Sequence, residues 1–230
     1  WRFWVDFKLC KKMLLIALVL PILLWIWMLL MPSLFFPDPR EMELKRAIFY
    51  YLDLLLPLMP ALVVLYLFSS SFERRGCAFL YTLPPNRFVL LLVRWLRIVL
   101  LWLAVYIPLL VWCHRQIVKV LSQDNFISLG EFLFQELPNP LFLCALALLA
   151  TVLSKQLFYG MICVGGYFLV DAATQGDVFG TWTLCHHLLY SQGQSANFMT
   201  VNRTNLLVGT VGMLLLAYLI YCSPWYRRRL

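Results

Sequence analysis

The sequence predicts an all-α, polytopic membrane fold, and three observations predict it. Of the 230 residues, 63% are apolar and only 13% are charged, where a soluble domain carries roughly 25% charged residues. The apolar residues are gathered into runs near the ~20 residues that cross a hydrocarbon layer about 30 Å thick. Backbone polar groups in lipid must be satisfied inside a helix or a closed barrel, and the ~10-residue alternating segments of a barrel do not occur. The expectation is a single transmembrane domain over residues 1–230 with six spans and no soluble enzyme domain.

Residues 1–12, WRFWVDFKLCKK, mix aromatics with Arg2, Lys8, Lys11 and Lys12, the composition of an interfacial helix lying in the headgroup layer. The first span, residues 13–34, leads into PSLFFPDPR, where Pro32, Pro37 and Pro39 stop a helix. This run is too long for a signal-peptide core, and no small-residue cleavage site follows it. The second span, residues 47–68, holds Pro57 and Pro60 and has Asp53 near its start. Prolines at depth predict a kink whose freed carbonyls are satisfied by neighbouring helices.

A polar break follows, and then a third span over residues 88–113. It carries Arg94 and Arg97 in its first turns, within snorkelling distance of the interface that holds Arg87. Residues 114–140, including ISLGEFLFQELPNP, are too charged to span and are expected on the membrane surface. A fourth span (141–153) and a fifth (157–172) are separated by only Ser154, Lys155 and Gln156, which predicts an antiparallel hairpin. Residues 173–204 are the longest stretch without a span, and a sixth span (205–222) gives way to SPWYRRRL.

Thirteen of the 19 Lys and Arg residues fall on the side of the two termini, so the termini are expected in the cytoplasm. The same placement accounts for the net charge of +8 by membrane topology and argues against nucleic-acid binding. The seven cysteines are scattered, with no C-x-x-C pair, and most read as small packing residues inside apolar runs. Cys185 beside His186 and His187 is the one cluster, but adjacent histidines point in different directions, so no metal site is assigned.

The break between spans two and three differs in kind from the rest. It reads FERRGCAFLYTLPPNR over residues 72–87. Glu73, Arg74 and Arg75 open it, Gly76 supplies a flexible joint, and Phe79, Leu80 and Leu83 provide the apolar face of a short helix stopped by Pro84 and Pro85. An acidic residue, a glycine, a short amphipathic helix, Leu-Pro and a basic-flanked span together resemble permease subunits of the ABC-2 class of ABC transporters. The interfacial N-terminal helix, the six spans, the extended segment before the last span and the arginine-rich C-terminus follow that family's plan. The departure is at Cys77, Ala78 and Phe79, where the family often has a second small or acidic residue.

The resemblance implies that residues 72–87 are a cytoplasmic coupling helix docking on an ATPase subunit through Glu73, Arg74, Arg75, Gly76, Phe79, Leu80 and Leu83. The plainer reading is a basic inside loop that sets topology. The chain has no G-x-x-x-x-G-K-[ST], the loop that cradles nucleotide phosphates, so no cofactor is expected in this chain; ATP and Mg would be bound by the partner. A second permease subunit, identical or related, is needed to enclose a pathway. Gly160 with Gly165 and Gly166, and Gly209 with Gly212, would allow close helix contact between copies or ordinary packing within one. The resemblance further implies export and a multi-pass protein of a bacterial cell membrane.

Asp53 is the strongest candidate for a pathway residue, because a charge in hydrocarbon is costly unless paired or wet; a structural pairing with Lys45 or Arg46 is the alternative. Asp171 lies near the outer end of span five, where solvent access makes it ordinary. Trp182, His186, His187 and Tyr190 are candidates for an external lid in residues 173–204. Asn202-Arg203-Thr204 fits a glycosylation sequon. Two other classes remain open: a membrane-embedded enzyme acting on lipid or peptide, for which H-E-x-x-H and partnered nucleophiles are missing, and an ion-gradient-driven secondary transporter, for which internal repeats are missing.

Overall fold

The computed structural model describes residues 19, 56–73, 87–120, 128–174, 176–184 and 196–223. Six helices carry the described fold: α1 (Leu56–Glu73), α2 (Arg87–Val120), α3 (Leu129–Glu136), α4 (Pro138–Ser154), α5 (Leu157–Ala173) and α6 (Ala196–Cys222). Among the described residues a 3-10 turn, Gly180–Trp182, follows α5. No strand occurs among the described residues. Among the described residues, three helical stretches are long and apolar enough to cross a membrane: Leu91–Trp112, Leu129–Ser154 and Phe198–Cys222. Pro57–Ser69 and Leu157–Ala173 are shorter apolar helices. The expected interfacial helix and first span lie outside the described residues, apart from Val19, which is helical.

The α4 helix is the centre, packing on α6, α1 and α5. Its composition explains the position. Ala145, Ala147 and Ala150 alternate with Leu143, Leu148 and Val152, all buried, so small residues admit neighbouring helices closely on several sides while the larger ones fill the gaps. Few charges interrupt this core, and Leu65, Val64, Phe68, Val164 and Leu206 complete it from α1, α5 and α6. The outward faces of α5 and α6 are apolar too: Phe158, Ile162 and Leu169 on α5 and Val208, Leu215 and Leu219 on α6 are all more than half exposed. A helix apolar all round suits lipid as its solvent.

Four boundaries differ from the sequence expectation, each for a local reason. The described part of α1 starts at Leu56 and runs on to Glu73, past the serines read as a polar break. Ser69 is buried and donates its hydroxyl to the Tyr66 carbonyl at 3.1 Å, which lets a serine stay in a helix without a solvent partner. Of the two prolines, Pro57 is in the described part of α1 and Pro60 lies inside the helix. The third span is one helix of 34 residues through Pro108 to Val120, longer than residues 88–113.

The segment ISLGEFLFQELPNP does not form a separate surface helix. It starts with a capping box, Ser128 accepting from the Glu131 N–H at 3.2 Å and Glu131 from the Ser128 N–H at 3.0 Å. The chain then passes through Leu137, still right-handed at φ −69° and ψ −33°, into α4. Pro138 and Pro140 open α4 rather than close α3, because proline fits the first turn of a helix. Phe132 and Glu136 are buried, so the span begins at Leu129 instead of Leu141.

The α4–α5 reversal is tight, as expected. Lys155 adopts a left-handed φ of 57° and its N–H bonds the Thr151 carbonyl at 2.8 Å, and α5 (Leu157–Ala173) begins and ends within a residue of the expected fifth span. The sixth span starts at Ala196, nine residues before the expected 205, since 205 − 196 = 9. The sequon Asn202-Arg203-Thr204, expected in the external segment 173–204, is inside the helix.

Candidate functional site

Six buried polar residues of this apolar bundle, Glu136, Asn139, Asp171, Thr183, Asn202 and Arg203, lie towards one end, where α4 begins, α5 ends and the 176–184 segment follows. Asp171, near the end of α5, is fully buried rather than solvated. Its carboxylate accepts the Thr183 hydroxyl at 2.8 Å and the Leu184 N–H at 2.7 Å. Both carboxylate oxygens are thereby engaged, which offsets the cost of burying the charge.

Asn202 on α6 is also fully buried. Its amide nitrogen donates to the carbonyls of Thr181 at 3.1 Å and Thr183 at 2.9 Å. Asn139, one residue into α4 after Pro138, donates to the Leu184 carbonyl at 3.2 Å. The Asn139 side-chain oxygen in turn accepts from the guanidinium of Arg203. Arg203 is fully buried, as is Glu136, one turn before Asn139. Tyr167 of α5 completes the set by donating its hydroxyl to the Trp182 carbonyl.

Aromatic packing holds the same turn. The Tyr167 ring stacks on Phe179 at 4.2 Å and 20°, and the rings of Phe142 and Trp182 lie 6.3 Å apart. Gly209 of α6 makes room for this: a Cβ there would sit 2.5 Å from Trp182 Cζ3 and 3.1 Å from Phe142 Cε2. The only side chain that fits beneath the indole is therefore none.

Of the residues singled out from the sequence, Trp182 is in this assembly, 40% exposed on top of it. His186, His187, Tyr190 and Asp53 lie outside the described residues, as do Arg74, Arg75, Gly76, Phe79, Leu80 and Leu83. Glu73 is the last residue of α1, and Arg87 the first of α2. Phe68 and Arg94 place these two helix ends side by side, with the Arg94 guanidinium 5.5 Å from the Phe68 ring centroid, a cation–π contact. Arg94 is therefore half-buried between α1 and α2, and Arg97 is exposed. Trp95 ties α2 to α4 by donating its indole N–H to the Cys144 carbonyl at 3.1 Å.

The glycines separate into two groups. Gly160 faces Leu65, 2.6 Å from where its Cβ would be, and Gly209 faces Trp182, so both serve packing inside this chain. Gly165, Gly166 and Gly212 have no atom within 4 Å of such a Cβ. The sequon is not a glycan acceptor in this fold, because the Asn202 amide is buried and already donating to two carbonyls.

Glu136 and Asn139 escape the sequence reading, and Asn202 and Arg203 enter it only as part of a sequon, because the expected span boundaries leave them outside the membrane. The signal was present: amides and charges directly abutting long apolar runs, Glu136-Leu-Pro-Asn139 and Asn202-Arg203, are intramembrane polar groups as soon as the runs are extended by a turn or two. The arrangement presents hydrogen-bond donors and acceptors to the backbone of the 181–184 turn. In comparison with known proteins, the chain matches no family model, no curated protein and no solved structure.

Proposed function

We propose that this chain is the transmembrane permease subunit of an ATP-driven transporter of the ABC-2 type, an exporter in which it forms half of the translocation pathway. The observation that carries the reading is the 72–87 segment, with its Glu-Arg-Arg-Gly opening, its Phe79, Leu80 and Leu83 face and its Leu-Pro stop. Its setting supports the reading: the segment bridges the end of α1 and the start of α2, two neighbouring apolar helices. A short amphipathic helix tethered at both ends to membrane helices transmits a push from a docked partner into both of them at once.

In this proposal a separate ATPase subunit binds ATP and Mg, and a second permease subunit, identical or related, closes the pathway. The termini and the 72–87 segment face the cytoplasm of a bacterial cell, following the excess of basic residues on that side. Closure of the ATPase pair moves the coupling segments, and the helices rock between inward and outward openings. A photoreactive residue in place of Phe79 tests this. In native membranes it should crosslink to a protein bearing a G-x-x-x-x-G-K-[ST] loop, whereas one in place of exposed Val208 on α6 should not. Crosslinks from Phe79 to lipid alone would sink the assignment.

A further inference from the structure

We infer that Arg97 and Arg94 hold the phosphate of an anionic phospholipid against the outer face of α2, a lipid site that is independent of the transporter reading. The two arginines are three residues apart and so are neighbours on one side of the helix. Arg94 is half-buried beside α1, with its guanidinium over the Phe68 ring. Arg97 is exposed and stands in the middle of the face that α2 turns away from the bundle. Leu96, Leu100 and Leu101 around it are 45%, 54% and 37% exposed, whereas Trp95, Val99 and Trp102 on the opposite side are buried. An arginine thus projects from the outward, apolar side of a helix long and apolar enough to cross a membrane.

Its depth decides what can meet its charge. The apolar stretch begins at Leu91, and Arg97 lies about 9 Å further along the helix axis. A guanidinium at that depth is costly in hydrocarbon and is drawn back along its own stem to the headgroup layer. Acidic partners are scarce there. Among the described residues, α2 itself and the α4 and α6 helices packed against it hold no Asp or Glu. Glu131 and Glu136 of α3 lie towards the other end of α2, where Phe132 meets the His114 ring. Glu73, the one acid in the described part of α1, is more than a turn beyond Phe68. Two like charges a turn apart repel each other, and an anion between them turns that repulsion into attraction. A phosphate accepts from two guanidinium groups at once, in the planar geometry that arginine favours. In a zwitterionic lipid the phosphate already has a cation in its own headgroup; in an anionic lipid it has none, so the pair selects the anionic lipid. The exposed leucines then lie along its acyl chains.

A photoreactive residue in place of Leu100, one turn from Arg97 on the exposed face, tests the site. The full chain is placed in nanodiscs of equal parts phosphatidylglycerol and phosphatidylcholine with the same acyl chains, and the photoproducts are identified by mass spectrometry. Adducts of phosphatidylglycerol should exceed those of phosphatidylcholine by about fivefold, the effect of one arginine close to an anionic headgroup. The same photoreactive residue in place of Leu215, on the exposed face of α6, should show no such excess. Arg97→Gln, a change on the outer face that leaves the core packing intact, should bring the ratio at position 100 to about one-to-one. Arg115→Gln removes an exposed charge of the same helix outside the apolar stretch and should leave the ratio unchanged, as should inorganic phosphate added to the buffer. No excess in the unmodified protein, or an excess that survives Arg97→Gln, would overturn the lipid site. So would an excess that Arg115→Gln lowers equally or inorganic phosphate abolishes, or crosslinks from position 100 mainly to protein. None of these outcomes bears on whether an ATPase docks at residues 72–87.

Discussion

Replacing Gly209 by alanine is the sharpest perturbation of the packing that seats Trp182. The added methyl carbon falls 2.5 Å from Trp182 Cζ3, and 3.1 and 3.4 Å from two atoms of the Phe142 ring, where carbon atoms rest at about 3.5–4.0 Å. The indole must therefore retreat by about 1 Å or more. Phe142 is buried and has little room to yield, while Trp182 is 40% exposed and has open space on its outer side. Overpacking of this kind costs about 1–3 kcal/mol, against a gain of about 0.5–1 kcal/mol from removing a glycine inside a helix. The net expectation is a loss of up to about 2 kcal/mol.

Gly212 is the internal control. It lies on the same helix, and nothing comes within 4 Å of its would-be Cβ, so Gly212→Ala should stabilise by about 0.5–1 kcal/mol. Unfolding of the purified protein in detergent micelles, followed by helical circular dichroism against rising SDS, gives both values. Trp182→Ala combined with Gly209→Ala should recover the loss, because the clash is with the indole. Equal stability of the Gly209 and Gly212 variants, or no recovery in the double variant, would refute the close seat of Trp182 on α6.

The buried pair of Arg203 and Glu136 should behave as one unit. Arg203→Met alone should cost about 1–3 kcal/mol, because it leaves the buried Asn139 side-chain oxygen without its donor, and combined with Glu136→Gln it should show a coupling of about 0.5–3 kcal/mol in the same unfolding assay. Additive losses would separate the two residues. When the chain is expressed in a host with a secretory pathway, Asn202 should carry no glycan, so endoglycosidase treatment should leave gel mobility unchanged. A shift abolished by Asn202→Gln would mean that α6 begins later than Ala196.

Much of the helical fold is legible in the sequence, because long apolar runs admit one physical solution in lipid. The α4–α5 hairpin is located to within a residue, since Ser154-Lys155-Gln156 is the only break between two runs too apolar to separate. The errors share a cause. Prolines and polar residues were read as ends of spans, yet Pro138 and Pro140 sit where a helix starts, and Asn202 and Arg203 are inside α6. The capping box at Ser128 and Glu131 is a sequence signal for a helix start, and it marks the true beginning of the α3–α4 span.

The candidate site was less legible, for a different reason. Asp171, Asn139 and Asn202 are distant in sequence, and what joins them is the 176–184 turn: Asp171 accepts its Leu184 N–H, and Asn139 and Asn202 donate to its carbonyls. Single-residue arguments about charge in a membrane identify such groups one at a time, and treat Asp171 as solvated because it is near a helix end. Only the packing of three helices around one turn shows that the end is closed. Trp182 lies on that turn; the polar groups that fasten the turn are the part that spacing alone does not reveal.

The central claim, a permease subunit driven by a separate ATPase, is tested most directly by gentle extraction of the tagged chain from its native membrane, followed by measurement of what copurifies. The account predicts an ATPase with a G-x-x-x-x-G-K-[ST] loop in equal amount. Glu73→Ala or Gly76→Pro should abolish transport-coupled ATP hydrolysis while leaving membrane insertion unchanged. Reproducible absence of any such ATPase from the unmodified protein, or hydrolysis fully coupled in both variants, would contradict it.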